Sequence, residues 1–300
     1  MILEYKIIDN KYENIKAICK SYFHISERLL IKLKKEKKIL LNGKSVFINF
    51  VPSINDILTI DLDFDEYSPN IVPTKMDLDI LFEDESMLII NKPANLPVHP
   101  SMGHFEDSLA NGVKYYFVEK EYKNQVIRPV IRLDKDTSGI VVFAKNEYIQ
   151  ESLISQMKQN TFKKEYIAIL TGILNEKQGT INAPIARKEN SIIEREINPN
   201  GDISITHYKV LKELNIKNED NNINLSLVNF LLETGRTHQI RIHSKYINHP
   251  ILGDSLYGEK SNLISRQALH AYKIFFTHPI TKKGIEIIAS IPQDILNVIK

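Results

Sequence analysis

Residues 130–144 read VIRLDKDTSGIVVFA, in which a loop of charged and hydroxyl side chains runs directly into a short apolar segment. The β-branched residues of the segment IVVFA, at 140–144, predict a buried strand. Such a strand gives the loop a rigid support, so Asp134 is presented as a carboxylate in a fixed place. Gly139 stands between the loop and the strand, where it permits backbone conformations or close approaches that a larger residue would prevent.

Two interpretations of this loop follow from its residues alone. The ordinary one is an acidic turn in which aspartate and threonine side chains cap the local backbone. The other is an aspartyl-phosphate enzyme, because the string DKDT is similar to phosphorylated-aspartate loops. However, Arg132 interrupts the apolar run two residues before Asp134, and the usual spacing of a second carboxylate for magnesium is missing. The acidic turn is therefore the stronger of the two.

Outward from this strand, strand-like and helix-like segments alternate from about residue 78 to residue 300. Strands are predicted on both sides of a turn at 84–86 and at 164–174, 224–233 and 268–276. Helices are predicted over 108–117 with Asp107 as the cap, after the cap Asn146, and over 237–247. The predicted fold class is α+β: a mixed, largely antiparallel sheet with flanking helices, preceded by a small N-terminal α/β unit.

The first part of the chain differs from the rest in charge. Residues 1–50 contain eleven Lys and Arg against five Asp and Glu, whereas residues 51–90 contain one lysine against ten acids. Ser26 is a plausible N-cap for a helix with leucines on one face and lysines on the other, and Asn42-Gly43 predicts a tight hairpin turn. Although most lysine runs are simply solvated surfaces, a cationic helix beside a hairpin can also bind an RNA backbone.

Composition excludes several other classes of protein. The content of 43% hydrophobic and 25% charged residues, with 11 Gly and 12 Pro, is that of a globular chain. Cys19 is the only cysteine, which excludes an intramolecular disulfide and a cysteine-based zinc cluster. No apolar run approaches the roughly 20 residues that cross a bilayer, and the first residues do not read as a signal peptide. We expect a cytoplasmic protein of two domains.

Five strings in order give this chain a resemblance to a known family. They are INKPANLPVHP (90–100), RLDKDTSG (132–139), KKEYIAILTG (163–172), ETGRTHQIRIH (233–243) and LGDSLYG (252–258), followed by ALHAYKIFFTHP (268–279). Together they resemble the RluA/RluD-type RNA pseudouridine synthases. The basic first part resembles the alpha-L RNA-binding domain that often precedes this catalytic domain, so we expect one domain at 1–70 and another at 71–300.

The resemblance implies a catalytic mechanism and three catalytic residues. The family isomerises uridine in RNA without a metal or organic cofactor, and Asp134 matches its catalytic aspartate. Breaking the bond between sugar and base requires a carboxylate beside the ribose, as a nucleophile or as a base. Arg241 matches the arginine that pairs with this carboxylate and favours its ionised form. Tyr166 matches the active-site aromatic, which can stack on an extruded uracil or take part in the final proton removal from carbon 5.

Six basic residues are expected to contact RNA. Arg132 could fill the gap that an extruded base leaves or hold the adjacent phosphate, and Lys92 and Arg236 are candidates for phosphate contacts. Lys34, Lys35 and Lys38 are expected to bind RNA from the first domain. Eight histidines lie in the catalytic part, but His238 and His243 are five residues apart and do not share a helix face as zinc ligands would. We therefore expect no metal site.

The chain departs from the family pattern at two places. Ile131 stands where a histidine commonly precedes Arg-Leu-Asp, and Asn55-Asp56 replaces a common Gly-Asp. The expected partner is RNA, with large-subunit ribosomal RNA as the commonest target of the family, and neither DNA nor a membrane. We expect a monomer. The rival hypothesis is a catalytically inactive RNA-binding or ribosome-assembly factor, against which the joint presence of Asp134, Tyr166 and Arg241 argues.

Overall fold

The computed structural model describes residues 1–122, 124–217 and 222–300, and two β-sheets organise these parts of the chain. A four-stranded sheet is formed by the first residues, and a ten-stranded sheet by most of the remainder. All strand pairs in the described residues are antiparallel, with two exceptions. In the large sheet, the strand Ser138–Ala144 runs parallel to Leu269–Thr277, and the strands Glu66–Tyr67 and Asn124–Gln125 form a separate parallel pair. The predicted α+β class with a mixed, largely antiparallel sheet is confirmed.

The N-terminal sheet has the order β1-β4-β2-β3 and packs against a short helical layer. Its elements are β1 (Ile2–Lys6), α1 (Ile15–Ala17), a π-helical turn (Ile18–Tyr22), α2 (Glu27–Lys35), β2 (Ile39–Leu41), β3 (Lys44–Ser45) and β4 (Ile57–Asp61). Ser26 caps α2 as predicted, because its Oγ accepts from the Leu29 N–H at 3.1 Å. The hairpin turn has positive φ at Asn42 (50°) and Gly43 (77°), as a type I′ turn requires.

The second sheet has the strand order β12-β15-β16-β11-β17-β10-β7-β6, with β9 added to β10 and β18 to β17. The elements from residue 66 onwards are β5 (Glu66–Tyr67), β6 (Ile80–Glu83), β7 (Met87–Lys92), α3 (Leu109–Glu119), β8 (Asn124–Gln125), β9 (Arg128–Pro129), β10 (Ser138–Ala144), α4 (Glu147–Lys158), β11 (Lys163–Thr171), β12 (Gln178–Asn182), β13 (Ile185–Arg187), β14 (Arg195–Ile197), β15 (Ile205–Lys217), β16 (Asn222–Leu232), α5 (Gln239–Tyr246), β17 (Leu269–Thr277), β18 (Gly284–Ile288) and α6 (Gln293–Ile299).

Local capping explains where two of the helices begin. Asn146 caps α4 as predicted, because its side chain accepts from the Ile149 N–H at 3.0 Å. The predicted cap Asp107 was wrong by one residue: Ser108 precedes α3, and its N–H donates to Asn111 Oδ1 at 3.0 Å. The Asp107 carboxylate instead contacts His104 Nδ1 at 2.7 Å.

Strand β10 lies inside the second sheet, between β17 and β7, and the loop of Asp134 leads directly into it. All seven of its residues, from Ser138 to Ala144, are buried. Gly139 has a φ of 109°, and a Cβ placed there would lie 2.2 Å from the Ala271 carbonyl oxygen. No side chain fits in that space, so the glycine is what allows β10 to run in parallel beside β17 at this point. The prediction of a close approach at Gly139 is confirmed.

The two sheets share a hydrophobic core. One continuous buried cluster joins residues of the N-terminal unit, such as Leu3 and Leu30, to residues of β10 and α4, such as Ile140 and Ile149. Ile131, which stands where the family commonly has histidine, is buried in the same cluster. Polar contacts reinforce this junction, including a 2.6 Å hydrogen bond from Ser26 Oγ to Glu151.

Candidate active site

A cleft of about 650 Å³ opens at the start of β10. Its walls come chiefly from four stretches of the chain, at 97–101, 129–137, 164–166 and 235–241. The three residues to which the resemblance assigns catalysis all line this cleft: Asp134, Tyr166 and Arg241. A loop, a strand and a helix thus bring these three side chains to one cavity.

Asp134 and Arg241 form the central ion pair of the cleft. Arg241 Nη1 donates to Asp134 Oδ2 at 2.9 Å, and no described residue donates to the second oxygen, Oδ1. The Asp134 side chain is 26% exposed, so the carboxylate reaches the space of the cleft although its partner is almost buried. A carboxylate held by a cation on one oxygen and open on the other can act on a ligand.

Asp254 holds Arg241 from the opposite side. Two further nitrogens of the guanidinium donate to the two Asp254 oxygens, Nε at 2.7 Å and Nη2 at 2.8 Å. Burial alone would lower the pKa of Arg241, but Asp254 and Asp134 together raise it above its ordinary value. Burial would likewise raise the pKa of Asp254, yet Arg241 and the N–H groups of Leu256 and Tyr257 hold it below its usual range. The guanidinium therefore keeps one orientation and one charge.

Helix α5 places Arg241 because its first residue is anchored by side-chain hydrogen bonds. Gln239 Nε2 donates to Thr206 Oγ1 at 2.9 Å and to the Ile205 carbonyl at 3.1 Å, so the helix is tied to β15. Its Oε1 accepts from the Arg236 N–H at 2.9 Å, which closes the preceding turn. The helix over 237–247 was predicted, but this anchor was not.

Two buried cations fix the loop that carries Asp134. Lys92 Nζ donates to the Lys135 carbonyl at 2.9 Å, and Arg266 Nη1 donates to the Asp136 carbonyl at 3.0 Å. Within the loop, the Thr137 N–H donates to the Asp134 carbonyl at 3.1 Å. The carbonyl groups of Lys135 and Asp136 are therefore hydrogen-bonded by buried side chains, while the Asp134 carboxylate faces the cleft.

This arrangement contradicts the predicted role of Lys92 as a phosphate contact. Its side chain is 0% exposed, and its ammonium donates to three carbonyl oxygens, those of Pro93, Leu96 and Lys135. Burial lowers the pKa of the Lys92 ammonium to about 7. All three of its donors are used inside the protein, so none remains for RNA. Sequence reasoning cannot distinguish a buried lysine of this kind from an exposed one.

Tyr166 lies on β11 and is buried at the wall of the cleft. The register between β11 and β17 shifts at Glu165 and Tyr166, which marks a local irregularity of the ladder at this residue. Burial raises the pKa of the Tyr166 hydroxyl above its ordinary value, and the nearby Asp134 carboxylate raises it further. The phenol is therefore neutral at physiological pH.

A histidine and a second tyrosine complete the surroundings of the ion pair. His238 Nε2 lies 3.7 Å from Asp134 Oδ2, and His238 Nδ1 lies 2.8 Å from the Tyr257 hydroxyl. The Tyr257 ring also contacts the Arg241 guanidinium, at 5.1 Å from its centroid. Asp254, Tyr257 and His238 were not predicted from the sequence to belong to the site. In the predicted helix over 237–247, the three-residue spacing of His238 and Arg241 indicates side chains on one face, which was the available signal, although His238 in fact immediately precedes the helix.

The remaining predicted RNA contacts divide into exposed and engaged side chains. Arg132 and Arg236 line the cleft and are exposed, and Arg236 lies 3.9 Å from Asp202. Lys34 and Lys35 are exposed on α2. They do not line the cleft.

Lys38 does not match its prediction as an RNA contact. Its Nζ lies 2.7 Å from Asp61 Oδ2 and 2.6 Å from the Asp63 carbonyl, so the ammonium is already bound to the end of β4.

The described residues contain no group of three or more His, Cys, Asp or Glu side chains that could hold a metal ion. Within residues 71–300, the histidines outside the cleft have protein partners instead. For example, His243 is buried between Thr206 Oγ1 at 2.8 Å and the Ala183 carbonyl at 2.9 Å. No helix in the described part of the chain is long and apolar enough to cross a membrane.

Several known proteins are similar to this chain in sequence or in fold. A Bacillus subtilis protein named uncharacterized RNA pseudouridine synthase YhcT is 41% identical over 282 residues, which cover 94% of this chain and 91% of that protein. The ribosomal large subunit pseudouridine synthase D of Zymomonas mobilis is 36% identical over 253 residues, covering 80% of this chain and 77% of that one.

A solved structure, human RNA pseudouridylate synthase domain containing 1, superimposes with a TM-score of 0.58 at 25% identity, covering 71% of this chain and 83% of the human one. Residues 86–246, which include the loop of Asp134, Tyr166 on β11 and Arg241 on α5, match the family described as RNA pseudouridylate synthase. Because this match takes in more than half of the chain, the protein belongs to that family and is an RNA pseudouridine synthase, an isomerase.

Proposed function

We propose that Asp134 is the catalytic carboxylate of this synthase and that its substrate is a uridine in large-subunit ribosomal RNA. The observation that carries the first part is the ion pair of Asp134 with Arg241, set in the cleft and fixed from behind by Asp254. The names of relatives such as the Zymomonas mobilis large-subunit enzyme support the second part.

The reaction requires that the bond between ribose and uracil breaks, that the base turns while it is held, and that a carbon–carbon bond forms to carbon 5. Asp134 acts beside the ribose, either as a nucleophile on the anomeric carbon or as a base on the neighbouring carbon. Its open oxygen, Oδ1, is the atom available for this step. Arg241 orients the carboxylate by donating to its other oxygen, Oδ2, at 2.9 Å.

Tyr166 stacks on the uracil that has been drawn out of its helix. Base stacking on an aromatic ring is worth about 1–3 kcal/mol per base and does not depend on ionisation. Because the pKa of the Tyr166 hydroxyl is raised by burial, the phenol is a poor base, and this favours stacking over proton removal from carbon 5. Arg132, exposed at the mouth of the cleft, contacts the RNA beside the extruded nucleotide.

Residues 1–70 form the proposed alpha-L RNA-binding domain. The exposed Lys34 and Lys35 on α2 and the hairpin that follows supply a cationic surface outside the cleft. Phosphate contacts of this kind supply affinity and register without reading sequence. The family match begins at residue 86, so this assignment depends on charge and on the helix and hairpin.

The direct test is to incubate the purified protein with transcripts of large-subunit ribosomal RNA. Pseudouridine is then detected by primer-extension stops after carbodiimide treatment. We expect one or a few new stops with the native protein and none with Asp134→Asn. Transfer RNA transcripts serve as the comparison substrate. RNA binding without any product on either RNA would instead favour the rival function, an inactive assembly factor.

A further inference from the structure

His238 has a conformation and a set of partners that the catalytic roles proposed above do not use. It immediately precedes α5 with a φ of 58°, a left-handed conformation that is uncommon for a residue other than glycine. Its side chain is 12% exposed and lines the cleft beside Asp134. Backbone strain at a ligand cavity persists where the surrounding structure imposes it.

The hydrogen bonds around Tyr257 determine which nitrogen of His238 carries the proton. The Tyr257 oxygen accepts from the Arg195 N–H at 2.8 Å. Among the described residues, His238 Nδ1 is the only acceptor beside the hydroxyl, at 2.8 Å, so the tyrosine proton is donated to Nδ1. A neutral imidazole then carries its own proton on Nε2. Burial lowers the pKa of the His238 imidazole. The Asp134 carboxylate would raise this pKa, whereas the Arg241 guanidinium lowers it further, and the net shift is downward, so the ring is neutral.

The Nε2–H group of His238 has no acceptor within hydrogen-bonding distance in the described part of the chain. Asp134 Oδ2 lies 3.7 Å from His238 Nε2, which is too long for a hydrogen bond. The two atoms are nevertheless close enough for a single ligand oxygen to lie within reach of both. Such an oxygen would accept from His238 and donate to the carboxylate, so it must belong to a hydroxyl group.

We propose that His238 and Asp134 together bind the 2′-hydroxyl of the target nucleotide, and that this pair makes the enzyme require ribose at the modified position. The inference depends on the proposed role of Asp134. A carboxylate that acts on the anomeric carbon or on its neighbour lies next to the 2′-oxygen in either case. The 2′-hydroxyl is both a donor and an acceptor and is the group by which proteins distinguish RNA from DNA at a given site.

The test compares RNA oligonucleotides that carry uridine or 2′-deoxyuridine at the target position alone. Both carry tritium at carbon 5, whose release reports the reaction whatever the sugar is. Single-turnover rates at saturating enzyme are measured for the native protein, His238→Asn and Tyr257→Phe. Asparagine tolerates the left-handed backbone but is too short to reach the position of Nε2. Tyr257→Phe leaves His238 in place and removes the partner that fixes its proton.

We expect the native enzyme to react at least about tenfold faster with the ribose substrate, because a site built for a hydroxyl rejects the analogue without it. In His238→Asn this ratio falls to about twofold or less, and in Tyr257→Phe it takes an intermediate value. His249→Ala, which removes an imidazole bonded to the Thr171 carbonyl outside the cleft, keeps the native ratio.

Two results would overturn the inference: a native enzyme that does not discriminate between the sugars, or an undiminished ratio in His238→Asn. Failure of the catalytic assignment gives a different result, namely product formation by Asp134→Asn on the ribose substrate. The two proposals can therefore fail separately.

Discussion

Arg241 lies between two carboxylates and donates to both, with Nη1 2.9 Å from Asp134 Oδ2 and Nε 2.7 Å from Asp254 Oδ2. Asp254 is 0% exposed, whereas Asp134 reaches the cleft. One guanidinium therefore links the position of a fully buried acid to that of an acid at the cleft. The pair of Arg241 with Asp254 fixes the guanidinium, and the guanidinium in turn orients Asp134, the proposed catalytic group.

Asp134→Asn should abolish product formation while leaving RNA affinity within about twofold of the native value. Asparagine keeps the size of the side chain but supplies neither a nucleophilic carboxylate nor a base, and loss of such a group costs roughly 100- to 10,000-fold in rate. Tritium release under single-turnover conditions measures the first quantity, and filter binding measures the second. A variant that retains more than about a tenth of the native rate would refute the assignment.

Asp254→Asn should lower both activity and stability although it does not touch the substrate. Removing one partner of a buried ion pair typically costs about 3–5 kcal/mol in the free energy of unfolding. The guanidinium also loses its fixed orientation, so the rate constant should fall more than the RNA affinity. Urea unfolding gives the stability change. Glu286→Gln, which breaks the partly exposed pair with Lys273, provides a control with a smaller loss, because neither residue lines the cleft.

The stabilising contribution of Asp254 should depend on pH in the acid range. Its pKa in the folded protein lies below the value of about 3.9 expected in the unfolded chain. The contribution is therefore fully present above the unfolded pKa and is lost as the pH falls through the folded pKa. Between pH 7 and 5 the native protein and Asp254→Asn should differ by a constant amount. Below about pH 4 the difference should shrink, as thermal unfolding at a series of pH values would show.

Lys92→Met should destabilise the protein without changing the salt dependence of RNA binding. The substitution leaves the carbonyl oxygens of Pro93 and Leu96 without a donor, whereas that of Lys135 still accepts from the Leu96 N–H at 3.2 Å. Each unsatisfied buried group costs about 1–3 kcal/mol. The loop of Asp134 loses one of its two cationic supports, so turnover should fall as well. Plots of log affinity against log salt should have the native slope. A shallower slope would mean that Lys92 contacts phosphate after all.

Lys34→Glu combined with Lys35→Glu should weaken RNA binding and flatten its salt dependence. Each phosphate contact that is lost changes the slope by roughly 0.7–0.9. Activity on a short substrate that does not reach the first domain should stay close to native. Lys260→Glu combined with Lys283→Glu, at two exposed lysines elsewhere, serves as the charge-matched control. Equal slopes in the native and doubly substituted proteins would remove α2 from the RNA interface.

Much of this fold was predictable because its elements carry local signals. The caps Ser26 and Asn146, the Asn42-Gly43 turn and the apolar strand after Gly139 were all found from short-range patterns. In contrast, the hairpin of β13 with β14 and the strand pair β5 with β8 were missed. They consist of two or three residues each, and their pairing depends on tertiary contacts.

The site was predictable to the extent that its residues lie in recognisable strings. Asp134, Tyr166 and Arg241 were named from such strings, and all three line the cleft. Whether a lysine is buried depends on packing that no string records, and for this reason Lys92 and Lys38 were wrongly expected to face RNA. Asp254 was inside a recognised string but received no role, since its partner lies thirteen residues away and meets it only in the folded chain.

The hydrophobic cluster that runs from Leu3 to Ile149 has a practical consequence for anyone who wishes to divide this enzyme. Truncation of the chain near residue 70 would remove the N-terminal residues from that cluster and expose the apolar face of α4 to water. The shortened protein would then tend to aggregate or unfold, and a drop in its activity would say nothing about RNA recognition. Surface charge reversals on α2 leave the hydrophobic cluster intact and are the safer way to separate the contribution of RNA binding from that of catalysis.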